Sequence, residues 1–158
     1  MELSPAGLAL LKASEGFRAR VYLDVNGFPT IGYGHRLVHP ESFPNGIGEA
    51  QAAEILISDL HDAELAVQCM VKVPLSQGQF DALVDFVFNM GSGRLHASTL
   101  LEDLNAGRFE QAANQLLLWD HAGAQENAGL RVRRQAEFEL FTGHASINEA
   151  GAVQPVAA

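Results

Sequence analysis

Glu15-Gly16, then Tyr22-Leu23-Asp24, then Gly27-Phe28-Pro29-Thr30-Ile31-Gly32-Tyr33-Gly34-His35 are the residues on which the reading of this chain turns. Val21, Leu23, Phe28, Ile31 and Tyr33 recur near period two, and Asp24-Val25-Asn26-Gly27 supplies turn chemistry. The pattern predicts a small, glycine-rich antiparallel sheet. Before it, Ser4-Pro5 reads as an N-cap with proline in the first turn, and Leu8, Leu11 and Glu15 continue a short helix that Gly16 ends. After it, Pro40, Pro44, Asn45, Gly46 and Gly48 mark a loop and a lobe boundary.

From Glu49 to about Met70, the apolar residues Ala52, Ile55, Leu56, Leu60, Ala63 and Val67 recur every three or four positions, which predicts one long amphipathic helix. Val73-Pro74 stops it. Ser76-Gln77-Gly78-Gln79 is a capping box flanked by Leu75 and Phe80, and it opens a helix with the stripe Phe80, Leu83, Val84, Val87 and Phe88, ended by Gly91-Ser92-Gly93. Three further helices are expected, over about 98–105, 108–119 and 128–142, so the second half reads as all helical. One unit is expected over 1–143, with a small lobe over about 15–60 and a helical lobe over 61–143 that includes the N-terminal helix. Residues 144–158 read as a flexible tail.

Of the 158 residues, 47% are hydrophobic and 18% charged, a globular composition that excludes whole-chain disorder. The apolar runs Leu8–Leu11 and Leu116–Trp119 fall far short of the roughly 20 residues a membrane span needs. Glu2 stands where a signal peptide would be basic, so synthesis without a signal peptide is expected. One cysteine, Cys69, permits no intrachain disulfide and reads as a small apolar residue. The net charge is −9; residues 1–48 carry none of it and the helices after them carry nearly all. Nucleic acid is disfavoured as a partner, because Arg131, Arg133 and Arg134 form the only dense basic run.

Glu15 and Asp24 lie nine residues apart, one at a helix end and one at a hairpin turn, and Thr30 follows six residues later. Glycoside hydrolysis needs such a pair: one carboxylic acid protonates the leaving oxygen while the other carboxylate acts on the opposite face of the sugar. A threonine hydroxyl both donates and accepts, so it can orient an attacking water. Each residue also has a plainer reading: Glu15 as a solvated helix end, Asp24 as the start of an Asx turn, Thr30 as a residue suited to strands.

The whole stretch, without a gap, resembles the bacteriophage lysozyme family, glycoside hydrolase family 24. That family's signature is a glutamate and glycine, then Tyr-x-Asp, then Gly-x-x-Thr-Ile-Gly-x-Gly-His. The resemblance continues through Phe88-Asn89-Met90-Gly91, Ser98-Thr99-Leu100-Leu101, Trp119 and Gly129-Leu130 leading into Arg133-Arg134. It implies an α+β, lysozyme-like fold: a small β-hairpin lobe and a larger helical lobe joined by a long helix, with the active-site cleft between them. It implies a muramidase that cleaves the β-1,4 bond between N-acetylmuramic acid and N-acetylglucosamine, with inversion and with no cofactor or metal. The implied roles are Glu15 as general acid, Asp24 as the residue positioning the attacking water and Thr30 as its partner. Tyr22, Gly34, Arg36, Phe88 and Asn89 would look onto the cleft. Arg134 would face it too, pairing with Glu15 or holding substrate.

Arg131 and Arg133 read as a solvated helix face, His35 as a structural histidine and Trp119 as core. The expected partner is bacterial peptidoglycan, met by a monomer without membrane insertion after holin-type or other release. Two alternatives stand beside this reading: a lytic transglycosylase, against which Asp24 and Thr30 argue, and a non-catalytic wall-binding relative. The acidic charge departs from the family, since many cell-wall lysozymes are basic.

Overall fold

The computed structural model describes residues 1–24, 26–123, 125–147 and 152–155. Helix α1 (Pro5–Glu15) begins where Ser4 caps it, the Ser4 hydroxyl accepting from the Gly7 N–H, and stops at Gly16, whose φ of 71° few other residues adopt. Strands β1 (Arg18–Leu23), β2 (Pro29–Gly32) and β3 (His35–Arg36) form an antiparallel sheet in the order β1-β2-β3. A register irregularity interrupts the β1–β2 pairing between Arg18 and Tyr22.

Helix α2 (Glu49–Met70) is the member common to both lobes. Its first turns pack on the sheet, where Gly32 leaves so little room that a Cβ there would lie 3.2 Å from the Ala52 methyl. Its later residues Leu60, Ala63 and Val67 are buried against the helices that follow. Helix α3 (Gln77–Met90) opens with the expected capping box, Ser76 and Gln79 satisfying each other's backbone N–H. It is buried on every side from Phe80 to Val87, so apolar packing wraps it completely, and that run includes Asp81 and Asp85. Asp81 accepts from the Ser4 N–H at 3.0 Å and thereby anchors the start of α1.

The helical lobe continues with α4 (Ser92–His96), α5 (Thr99–Asn105), α6 (Phe109–Leu116) and α7 (Ala128–Thr142). Two features depart from the sequence reading. Gly91, at φ 89°, ends α3 as expected but also starts the short helix α4, so the Gly-Ser-Gly run is a joint between helices. Between α6 and α7, the ribbon of β4 (His121–Ala122) and β5 (Gln125–Glu126) interrupts the expected all-helical half. Helix α6 accordingly ends at Leu116. Trp119 packs edge-on against Phe86 at 5.4 Å, in the core as read, whereas Cys69 is exposed. In the expected tail, β6 (Ala145–Ile147) pairs with β7 (Val153–Pro155) and lies beside α1 and α7. The rest of the tail, 148–151 and 156–158, lies outside the described residues.

Helices α3 and α7 share the most extensive packing in the lobe, and they cross at Gly78, where a Cβ would meet the Leu140 carbonyl oxygen at 2.5 Å. Backbone cannot yield as a flexible side chain can. Gly78→Ala is therefore expected to cost about 1–3 kcal/mol of stability despite alanine's better helix propensity. Urea unfolding of the two proteins checks this, and an equal or higher midpoint for the variant would contradict it.

Candidate active site

Glu15 ends α1 and projects toward α7. Its side chain is 22% exposed, and one oxygen, Oε1, accepts from Arg133 Nη1 at 2.7 Å. The other oxygen faces the small lobe: a Cβ on Gly34 would lie 3.5 Å from Glu15 Oε2. Glycine at 34, at φ 90°, brings the sheet's backbone up to the carboxyl without strain.

Asp24 sits at the tip of the β1–β2 turn. Its Oδ1 accepts from the Asn26 N–H at 2.8 Å and the Phe28 N–H at 2.9 Å, the Asx geometry read from the sequence. Its Oδ2 pairs with Arg36 Nη2 at 2.8 Å, and Arg36 in turn lies over the Phe28 ring at 4.7 Å. The Phe28 N–H first, then the Asn26 N–H and Arg36, hold the Asp24 carboxyl below the ordinary carboxylate range, against the opposing effect of partial burial.

Thr30 is opposite Tyr22 on β1 and opposite Arg36 on β3. Residues directly opposite in antiparallel strands share a face, so three of the expected site residues lie in a row across the sheet. Thr30 is only 3% exposed, and its hydroxyl donates to the Phe28 carbonyl at 2.9 Å, leaving its lone pairs to accept. Tyr22 carries Arg18 over its ring at 4.6 Å.

On the helical side, a cavity of about 1270 Å³ opens between the end of α1, the end of α3 and α7 as far as Glu139. Glu15, Asn89, Asn127, Arg131 and Arg133 are among its lining residues, whereas the expected residues of the small lobe are not. Phe88 is half-buried and packs against the core. No group of three or more His, Cys, Asp or Glu among the described residues is arranged to hold a metal ion.

The basic run resolves differently from the sequence reading. Arg131 is exposed and pairs with Glu126 and, at 3.6 Å, Asp120. Arg133, expected on a solvated face, is buried. It is Arg133 that meets Glu15, while its Nε and Nη2 grip Asp85 at 2.7 and 3.0 Å. Burial opposes its charge, but Asp85, Glu15 and Glu137 outweigh that and keep the guanidinium firmly protonated. Arg134, expected to face the cleft, has no exposed surface: it reaches Asn89 Oδ1 and Glu137 Oε1, both at 2.8 Å, and lies over the Phe86 ring. A group without solvent contact does not hold substrate in this conformation, so both roles expected of Arg134 fail, and its neighbour makes the pairing with Glu15. Asp85 escaped the sequence reading altogether. The signal was there: Asp81 and Asp85 fall inside an otherwise apolar run from Phe80 to Phe88, and a buried acid needs a buried cation.

The phage lysozyme family model matches residues 12–137. The chain belongs to the phage lysozyme family. The endolysin of Salmonella phage P22 is 40% identical over 144 residues, covering 89% of this chain and 98% of that protein. The endolysin of Bacillus phage B103 is 43% identical over 145 residues, and there the chain spans only 54% of the relative's length. Among solved structures, a P22 lysozyme mutant superposes with a TM-score of 0.82 at 37% identity, covering 90% of this chain and 99% of that one. A muramidase domain from Asticaccaulis excentricus gives 0.81 at 35% identity, covering 89% and 97%. The expected α+β, lysozyme-like fold is the one observed.

His35 stands beside the site in a structural role. Its Nδ1 lies 2.9 Å from Asp59 Oδ2 on α2 and its Nε2 lies 3.0 Å from Glu41 Oε2 in the loop after β3. Two carboxylates can be satisfied together only by an imidazolium with both nitrogens protonated. Burial opposes that charge, but the bonds to Glu41 and Asp59 prevail and raise the pKa above 6.5. A pKa raised on folding gives stability that is fully present below the unfolded value and lost as pH rises through the folded one. His35→Gln should therefore destabilise the protein more at pH 6 than at pH 9. Melting temperatures of both proteins at the two pH values check the sign.

Proposed function

We propose that this chain hydrolyses the β-1,4 bond between N-acetylmuramic acid and N-acetylglucosamine in bacterial peptidoglycan, with Glu15 as general acid and Asp24 and Thr30 holding the attacking water. The chain is a glycoside hydrolase of the lysozyme type by family. The observation that carries the assignment of roles is the unlike setting of the two carboxyls. Asp24 takes two backbone N–H groups and a guanidinium, all of which favour its anion. Glu15 has one oxygen in an ion pair and a second turned toward the small lobe, free to carry a proton. Carboxyls placed in different environments take different roles.

In the reaction, Glu15 Oε2–H passes its proton to the glycosidic oxygen as the C1–O bond breaks. Water attacks the opposite face of C1, and as the new C–O bond forms the proton it directs at Asp24 passes to that carboxylate. Thr30, whose own proton is committed to Phe28, accepts from that water, and the Asp24 anion accepts from its other hydrogen and stabilises the positive charge at C1. Attack from the opposite face inverts the anomeric carbon. Tyr22, Gly34, Arg36, Phe88 and Asn89 border the sugar-binding path. The catalytic unit is 1–143, which the family match over 12–137 supports. It acts on the wall as a monomer and reaches the wall after holin-type or other release. No helix among the described residues is long and apolar enough to cross a membrane.

Purified peptidoglycan digested with the protein should give fragments with reducing ends, identified by mass spectrometry. Anhydro-muramic ends would mean that the muramic C6 hydroxyl had attacked in place of water, and no fragments would mean a binding protein. Glu15→Gln keeps the shape without the proton and should lower turnover by 10²-fold or more with the fold retained. Wild-type turnover in that variant would remove Glu15 from the mechanism.

A further inference from the structure

Behind Glu15 lies a buried group of charges whose members come from three helices: Glu15 from α1, Asp85 and Asn89 from α3, and Arg133, Arg134 and Glu137 from α7. Asp85, Arg134 and Glu137 have no exposed side-chain surface. Each arginine has a distinct circle of partners. Arg134 gives its charge to the Asn89 carbonyl oxygen, the Phe86 ring and Glu137. Arg133 is held by Asp85 through two parallel N–H···O bonds, a planar, bidentate grip that fixes the guanidinium in orientation as well as position. Its remaining edge presents Nη1 to Glu15 Oε1.

Glu137 is not a competitor for Arg133. It is 3.9 Å from Arg133 Nε, and neither of its oxygens receives a well-aligned hydrogen bond. Complete burial first, and the neighbouring Asp85 charge next, push its carboxyl well above the ordinary range. Asp85 is thus the acid that grips Arg133 from the buried side.

A general acid beside an arginine faces a conflict. The cation orients the carboxyl, but at 2.7 Å it also favours the carboxylate, which has no proton to give. We propose that Asp85 resolves this conflict as a positioning residue for the general acid: from the buried side of Arg133 it fixes the guanidinium plane and offsets its charge, so that Glu15 is held in place yet keeps the proton it must donate. This inference rests on the reading of Glu15 as the acid. It gives the second acidic residue of the α3 stripe a role in the reaction, although Asp85 touches no substrate.

The test is Asp85→Asn in the full chain, assayed on a soluble, uncross-linked peptidoglycan glycan across pH. The amide keeps the shape and one acceptor but removes the charge. The expected result is a fall in kcat of about tenfold to a hundredfold with KM little changed, and an alkaline limb of the kcat profile displaced about one unit toward lower pH. Glu137→Gln, at a residue that makes no hydrogen bond to Arg133, should leave that limb where it is. A lower melting temperature for Asp85→Asn with the limb unmoved would make Asp85 merely structural and overturn the proposal, as would an equal displacement by Glu137→Gln. Should Asp85→Asn not fold, carboxyl 13C spectra decide. In the unsubstituted protein the Asp85 signal should move at the pH where Glu15 titrates, and that step should vanish in Glu15→Gln; an Asp85 signal blind to Glu15 overturns the proposal. If Glu15→Gln keeps its activity, the reading of the acid itself fails. If it is inactive while Asp85→Asn keeps the wild-type profile, only this inference fails.

Discussion

The guanidinium of Arg133 is the point at which α1, α3 and α7 are tied together, and the helical side of the site follows from the constraint it imposes. A buried cation must have its donors satisfied, because an unpaired charge in a low-dielectric interior is strongly disfavoured. Asp85 and Glu15 meet that demand from two different helices. Removing one partner of such a pair typically costs about 3–5 kcal/mol, since the other is left buried and alone. The angle between α3 and α7 is therefore held by charge as well as by the close crossing at Gly78. Glu15, on the last turn of α1 where a helix would ordinarily fray, is held from the far side of the lobe.

The small lobe has its own, separate set of constraints. Asp24 is held by the N–H groups of its own turn and by Arg36 two strands away, all within residues 24–36. The sheet is fastened to α2 through the His35–Asp59 pair and the contact of Gly32 with Ala52, and the Ile47 N–H donates to the Ala19 carbonyl at 2.8 Å. The two carboxyls are thus fixed to different bodies. A motion of one lobe against the other changes the distance between Glu15 and Asp24 while leaving the hydrogen bonds of each intact, so opening for a polymeric substrate need not disturb either carboxyl's electrostatics.

What was legible in the sequence tracks the range of the interaction involved. Ser4-Pro5, Gly16 and the box at Ser76–Gln79 act within one helical turn, and α1 and α3 begin or end where those residues say. The Asx turn at Asp24 is equally local. Helix α4 and the β4–β5 ribbon are too short for any period to show, and the ribbon is closed by a backbone bond from the Asn127 N–H to the Asp120 carbonyl. The exchange of Arg133 for Arg134 is a matter of phase. Neighbours on a helix diverge by about 100°, so naming the residue that faces Glu15 requires the rotation of α7 against α3, which long-range packing decides. Asp85 belongs to the same class: its position in an apolar run signals a buried partner, but the partner lies 48 residues away.

The acidic net charge and an anionic wall are reconciled by where the charges sit. The exposed acids Glu49, Glu54 and Asp62 lie along α2, and Glu102 and Glu110 on the helices beyond it. Arginines stand beside the sheet's row of Tyr22, Thr30 and Arg36, with Arg18 over Tyr22 and Arg20 exposed on the same strand, while Arg36 lies over Phe28 and pairs with Asp24. Residues 1–48 are neutral by count, yet Glu15 and Asp24 are both engaged by arginines, so the surface offered to a polymer carries less negative charge than the chain as a whole. With a Debye length of about 8 Å at physiological ionic strength, exposed charges farther off than that are largely screened. Charges of the small lobe therefore act at contact, whereas the acids of the helical lobe are felt over longer distances and in dilute salt. A chain of net charge −9 can thus carry a less acidic face on its small lobe while its other surfaces, like-charged, keep copies of the protein apart.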